Sequence, residues 1–263
     1  MNTKEFKINL DKTNEFLSRF ILSSKKLLDS DLGKEAREYL DLRKISKFSR
    51  EKFEFGYFPS NDNLHLLNEF NTNDLKKYKL IFENHINDEH NTKIKIGYFD
   101  NYNLIWPIKD DMNRIVSLMG RSILLEDKLK ELKISKYKYG NYIKSYNLFG
   151  LNFAKKSILA NESVILVEGQ LDCIKCHANG VYNVVALGGT SLSWYQLFLL
   201  KKHGAKKIFL LLDNDNPGKE AQKKIINKYN GYIKFECINL PSKYKDIDEY
   251  INADNDLSLI SCI

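Results

Sequence analysis

Three short apolar runs mark the second half of the chain, Val164-Ile165-Leu166-Val167, Val184-Val185-Ala186-Leu187 and Ile208-Phe209-Leu210-Leu211-Leu212, and Tyr232-Ile233-Lys234-Phe235-Glu236-Cys237-Ile238 reads as a fourth strand. Short unbroken apolar runs suit strands buried on both faces. Helical stretches separate them, one running through Cys176 and Ala178 and one over residues 193–203. A third includes Pro217, whose missing N–H suits the first turn of a helix. Strand and helix alternate, which predicts an α/β fold with a largely parallel sheet flanked by helices.

The first half has a different texture. Residues 1–50 read as helical, with Ala36, Tyr39, Leu40 and Leu42 near helical spacing. Gly56-Tyr57-Phe58-Pro59-Ser60 breaks that pattern, and residues 64–90 read as helical again. Lys93-Ile94-Lys95-Ile96-Gly97-Tyr98-Phe99 then alternates like a strand. Leu104–Ile108 and Ile115–Met119 follow as further short strands around the turn-like Asp110-Asp111-Met112-Asn113. Residues 126–146 are charged and aromatic and read as an exposed connector. The division predicted is a mixed α+β subdomain over 1–150 and an α/β domain over 151–263.

At 263 residues with 43% hydrophobic positions, the chain can bury a sizeable core. No apolar run approaches the ~20 residues of a membrane span, and the N-terminus lacks a signal-peptide pattern. A soluble cytoplasmic protein with no membrane partner is expected. The net charge of +7 suits a polyanionic partner. Lys, Asn and Ile are all heavily used, as in a chain from AT-rich DNA, so charge alone discriminates weakly. Cys173-Ile-Lys-Cys176-His177 formally matches a haem-attachment string. It falls inside an amphipathic helix, where Cys behaves as a small hydrophobe. Cys237 and Cys262 supply no second close pair, so no zinc site is expected.

In open α/β sheets, ligands bind beyond the carboxyl ends of the strands. Acidic residues collect at that edge: Glu168 after the first run, Asp172 on the following helical turn, Asp213 and Asp215 after the third, and Asp246 and Asp248 beyond the fourth. Each single Asp is equally compatible with a helix cap. Together they predict a site for hard divalent cations, Mg²⁺ or Mn²⁺, which prefer oxygen ligands.

The motifs Val167-Glu168-Gly169-Gln170-Leu171-Asp172, Leu187-Gly188-Gly189-Thr190, Asp213-Asn214-Asp215-Asn216-Pro217-Gly218 and Lys245-Asp246-Ile247-Asp248-Glu249-Tyr250 resemble those of the TOPRIM domain. Ile247 replaces the usual Pro of the last motif. Ahead of them, Glu35–Leu40 with Arg43, Phe48 and Phe55–Pro59, then Trp106–Asp110, Arg114 and Met119-Gly120-Arg121, are similar to the core of DnaG-type primases. Asn113 and Met119 stand where that family usually has Gly. Ser135-Lys136-Tyr137 and Lys144–Leu151 look like the next two landmarks.

The resemblance implies that Glu168, Asp213 and Asp215 carry metal chemistry. It also implies that Arg114, Arg121, Lys136, Tyr137 and Lys144 bind nucleic acid or nucleoside triphosphate. Tyr139 could stack on bases, whereas Trp106, between Ile105 and Pro107, reads as core. The expected activity is RNA primer synthesis on single-stranded DNA by two-metal nucleotidyl transfer. A TOPRIM nuclease and a non-catalytic nucleic-acid-binding replication or recombination module are the alternatives. No phosphate-binding Gly-x-x-x-x-Gly-Lys-Ser/Thr string occurs, and no zinc-binding module precedes the core. Template-sequence selection and helicase docking are therefore expected to fall to other chains or to be lost. The small size leans toward a phage or other mobile element, acting in the host cytoplasm.

Overall fold

The parallel pairing forecast by the strand–helix alternation is present. The structure is a computed structural model and describes residues 3–85, 93–255, 257 and 260. Its chain forms two compact units. One comprises Met1–Leu42, Arg50–Ile108 and Ile115–Tyr142; the other comprises Arg43–Ser49, Lys109–Arg114 and Ile143–Ile263. Among the described residues, no helix is long and apolar enough to cross a membrane.

In the first unit, α1 (Thr3–Asp29) buries Leu17, Phe20, Ile21 and Leu28 along one stripe, the spacing that a helix face requires. It is followed by α2 (Lys34–Leu42), α3 (Lys47–Lys52) and the short strand β1 (Gly56–Tyr57). Helix α4 (Thr72–Lys77) comes next, capped by the Asn71 side chain, which accepts from Asn73 N–H. The strands β2 (Ile81–His85) and β3 (Lys93–Gly97) then pair antiparallel, Ile81 opposite Gly97. The helix expected over 64–90 is thus corrected at Ile81–His85, which form a strand, and residues 86–90 lie outside the described residues. Lys79, at φ 55°, turns the chain, and the β-branched and aromatic pair Ile81-Phe82 enters a ladder.

A second sheet in this unit has the order β1, β4 (Leu104–Lys109), β5 (Ile115–Arg121), β6 (Tyr137–Tyr139). Helix α5 (Glu126–Glu131) lies between β5 and β6 in sequence, so the supposed connector over 126–146 has short regular pieces. Trp106, on β4, is fully buried against Phe55 at 4.9 Å between ring centroids and edge-on to Tyr137 at 6.4 Å. Its indole N–H has no acceptor among the described residues, so the burial is driven by ring area.

The second unit holds α6 (Leu151–Asn161), β7 (Ser163–Val167), α7 (Gln170–Ala178), β8 (Val184–Ala186), α8 (Trp194–Lys202), β9 (Lys207–Leu211), α9 (Asn216–Tyr229), β10 (Lys234–Cys237) and α10 (Ile247–Asn252). Its sheet order is β10-β9-β7-β8, parallel throughout. One sheet face, with Val164, Leu166, Ile208 and Leu210, packs with Leu197, Leu200, Ala221, Ile225 and Tyr229 into one apolar cluster. The segment Lys109–Arg114 is pinned by Asp110, whose Oδ1 accepts from the N–H groups of Met112 and Arg114, 2.9 Å each. Asn113 there adopts φ 67°, a left-handed conformation that Asn tolerates better than most residues.

Trp106→Ala is expected to cost about 3–5 kcal/mol of unfolding free energy, the range for deleting a buried aromatic. Urea denaturation measures it; a loss below about 0.5 kcal/mol, typical of surface positions, would move the indole out of the core.

Candidate active site

Strand register builds the site. Val167 pairs with Leu211 and with Ala186, so β7, β8 and β9 end level and their next residues leave the sheet together. Glu168 follows β7 directly, and its carbonyl accepts from Gly188 N–H at 2.9 Å. Asp213 follows β9 one residue later. Asp215 then starts α9, its Oδ1 accepting from Gly218 N–H at 2.9 Å. The Asp-x-Asp motif is compressed by that turn. A Cβ on Gly218 would lie 2.0 Å from the Asp213 carbonyl oxygen, so only glycine lets the helix begin so close to the aspartate.

The loop after β10 is tied to the same place. Asn214, between the two aspartates, donates its backbone N–H to the Lys245 carbonyl at 2.6 Å. Its side-chain amide donates to the carbonyls of Leu240 and Tyr244, 3.3 Å each. Lys245 in turn places its ammonium 3.5 Å from Asp213 Oδ2 and 3.9 Å from Asp215 Oδ2. Asp215 therefore serves two purposes: one oxygen caps α9 and the other faces a cation. Neither Asn214 nor Lys245 stood out in the sequence as a site residue. The signal available was their position, inside the Asp-x-Asp motif and immediately before Asp246.

Glu168, Asp172, Asp213 and Asp246 hold their protons more tightly than usual. Burial raises the Glu168 pKa, with further increments from Asp213 and Asp215. Asp213 is raised by burial and by Asp246 and Asp215, against the lowering effect of Lys245. Asp246 is raised by burial while it caps α10, accepting from Glu249 N–H at 2.8 Å. Asp172 is pushed well above the usual range by burial and by Asp246, Asp213 and Asp248. Its Oδ2 accepts from Gly169 N–H at 3.0 Å, so that oxygen closes the first turn of α7.

A second cation, Lys144, lies within electrostatic reach of Glu168. A Cβ on Gly189 would meet the Lys144 ammonium at 2.7 Å, and one on Gly188 (φ 67°) would meet Lys144 Cε at 3.3 Å. The Gly-Gly pair after β8 therefore lets Lys144 lie against bare backbone. Burial lowers the pKa of Lys144, and Glu168 offsets part of that.

Whether these residues fit a divalent ion can be tested on the donor set. Among the described residues, no three His, Cys, Asp or Glu side chains converge as a ready-made metal cluster. Asp213 and Asp215 do share one cation, the Lys245 ammonium. Two carboxylates facing one cation suit Mg²⁺, which takes one or two protein carboxylates and completes its shell with water and phosphates. The donor set fits on that basis.

Two family models match the chain. One, described as DNA primase catalytic core, N-terminal domain, matches residues 23–155; the other, described as Toprim-like, matches residues 165–251. The chain belongs to the DnaG-type DNA primase family. The DNA primase of Aquifex aeolicus is 34% identical over 222 residues, covering 83% of this chain and 42% of that protein. The solved zinc-binding and RNA polymerase domains of Aquifex aeolicus primase share 30% identity with a TM-score of 0.71, over 93% of this chain and 56% of that one. A DnaG primase catalytic domain bound to single-stranded DNA has the same fold, with a TM-score of 0.72 at 20% identity over 94% and 76% of the two chains. The chain thus spans less than half of the curated primase that it matches.

Within this primase family member, several expected site residues have structural partners. Asp248 is 4% exposed, and its carboxylate pairs with Arg43 and with the buried Lys175. Two cations inside the fold thus offset the cost of burying this acid. Arg121 is also largely buried, with its guanidinium over the rings of Tyr39 and Tyr137 and its Nε donating to Tyr39 Oη. Tyr137 is half-buried and contacts both Arg121 and Trp106. Lys136 pairs with Glu126 at the surface, and Arg114 grips Asp110 through two nitrogens, at 2.9 and 2.8 Å. Tyr139 packs tilted against Tyr142. Cys173 and Cys176 are buried in α7, where His177 Nε2 bonds the Val184 carbonyl; Cys262 lies outside the described residues.

The raised carboxylates give a pH prediction. A raised folded-state pKa means that the folded protein binds the proton more tightly, so its stability falls as pH rises from the ordinary carboxylate range through the raised value. Glu168→Gln removes that penalty. The variant is expected to melt higher than the parent at neutral pH in metal-free buffer. The difference should vanish near pH 4, about the usual Glu value. Thermal melts at both pH values measure it, and a lower melting point at neutral pH would contradict the repulsion.

Proposed function

We propose that this chain is the catalytic core of a primase that joins nucleoside triphosphates into short RNA primers on a single-stranded DNA template. The Asp213–Asp215 pair, sharing one cation at the carboxyl rim of a parallel sheet, is the observation that carries the reading. A related DnaG catalytic domain bound to single-stranded DNA supports the choice of template, and the net charge of +7 suits it.

Asp213 and Asp215 would hold Mg²⁺ or Mn²⁺, with Glu168 and Asp246 beside them and Asp172 behind. A divalent ion there would supply positive charge to phosphate oxygens and to the attacking hydroxyl. The remaining roles fall to protein groups. Lys144, against Gly188-Gly189, binds the triphosphate through its ammonium. Glu168, half-buried and raised in proton affinity, accepts the proton of the primer 3′-hydroxyl as the hydroxyl oxygen attacks the α-phosphate, the α–β phosphoanhydride bond breaks and pyrophosphate leaves. Arg114 and Lys136 keep acidic partners at rest and exchange them for template phosphates. A separate replicative helicase supplies the template in this scheme.

Asp213→Asn combined with Asp215→Asn is expected to abolish primer synthesis while leaving far-UV circular dichroism unchanged. Losing several kcal/mol of charge stabilisation, at about 1.4 kcal/mol per tenfold, corresponds to a drop on the order of 10³-fold. The assay combines single-stranded DNA, labelled nucleoside triphosphates and Mg²⁺ or Mn²⁺. Growing RNA supports the primase, shortening DNA supports a nuclease, and synthesis surviving in the double variant would end the assignment.

A further inference from the structure

Lys245 has no part in the chemistry proposed above, yet its ammonium stands between the two aspartates that chemistry requires. It lies 3.5 Å from Asp213 Oδ2 and 3.9 Å from Asp215 Oδ2. Those separations exceed the usual 2.7–3.2 Å of a hydrogen bond from nitrogen to oxygen. The attraction is therefore mainly Coulombic, and it is easily exchanged.

The tether is firmer than the contact. The Lys245 carbonyl accepts from Asn214 N–H at 2.6 Å, and its N–H donates to Glu249 Oε2 at 2.8 Å. The backbone is thus fixed both to the Asp-x-Asp loop and to the first turn of α10, and only the flexible stem can move. Tethering keeps the local concentration of the charge high. The Lys245 side chain is 55% exposed, whereas Asp213 is 18% and Asp215 40% exposed. The ammonium therefore reaches the aspartates from a side chain more exposed than either of them.

We propose that Lys245 is a tethered counter-ion that competes with a divalent cation for Asp213 and Asp215, and so sets how tightly the site takes up metal. The proposal rests on the reading of this pair as metal ligands. A monovalent ammonium screens the like charges of the two loops while no ion is present. A divalent ion offers twice the charge, and direct coordination displaces the ammonium into solvent. Metal entry therefore costs one ion-pair exchange, and the empty rim is spared its full repulsion.

The test uses the full chain and Mn²⁺ alone, with free Mn²⁺ followed by electron paramagnetic resonance and no nucleotide or DNA present. Lys245→Met is expected to bind Mn²⁺ about two- to fivefold more tightly than the parent, the factor set by losing one exposed ion pair. It should also melt at a lower temperature in metal-free buffer. Lys245→Arg keeps the charge and is expected to bind no more tightly than the parent. Parental or weaker affinity in Lys245→Met would overturn the proposal, as would tightened binding in Lys245→Arg. Asp213→Asn with Asp215→Asn serves as the control. If the parent binds Mn²⁺ no better than that control, the metal reading itself fails. If the parent does bind and Lys245→Met is unchanged, only the competition fails.

Discussion

Repulsion among carboxylates at one edge of a parallel sheet is the constraint around which the second unit is arranged. Level ends of β7 and β9 place Glu168 and Asp213 side by side, and hydrogen bonding through Asn214 draws the loop before Asp246 against them. Folding alone gains nothing from such crowding, since each charge raises the proton affinity of its neighbours. The apolar cluster beneath, with Leu166, Leu210, Leu200 and Tyr229, supplies the favourable free energy that lets the rim persist. The price of readiness for an incoming cation is thus met by the sheet's interior.

Much of this was legible because the strands of a doubly covered sheet are written as plain apolar runs. Val164–Val167 and Ile208–Leu212 could be placed to within a residue, and the acids that follow them fell at the rim. Trp106 was read as core from its apolar neighbours, and it is core.

Other features were hidden for physical reasons. A local pattern does not reveal which cation answers which acid when the partners are distant in sequence. Asp248 looked equivalent to Asp246 two residues earlier, yet successive positions at a helix start point in different directions: Asp246 caps α10 and Asp248 turns inward to Lys175. Ile81–His85 looked like the tail of a helix, because a two-stranded ribbon is decided by its partner strand. Arg121 lies over the rings of Tyr39 and Tyr137, and Tyr39 is too distant in sequence for any local pattern to show that contact.

The buried Lys175–Asp248 pair has a consequence for assembly. Helix α10 is only six residues long, too short to be located well by apolar packing, which tolerates sliding. Asn252 Oδ1 accepts from Lys175 Nζ at 2.6 Å, one helical turn beyond Asp248. Both acceptors meet that single lysine in one register only, so the contact works like a key in a keyway. Asp246, at the opposite end of the key, is delivered to its place by a lock that never touches the chemistry.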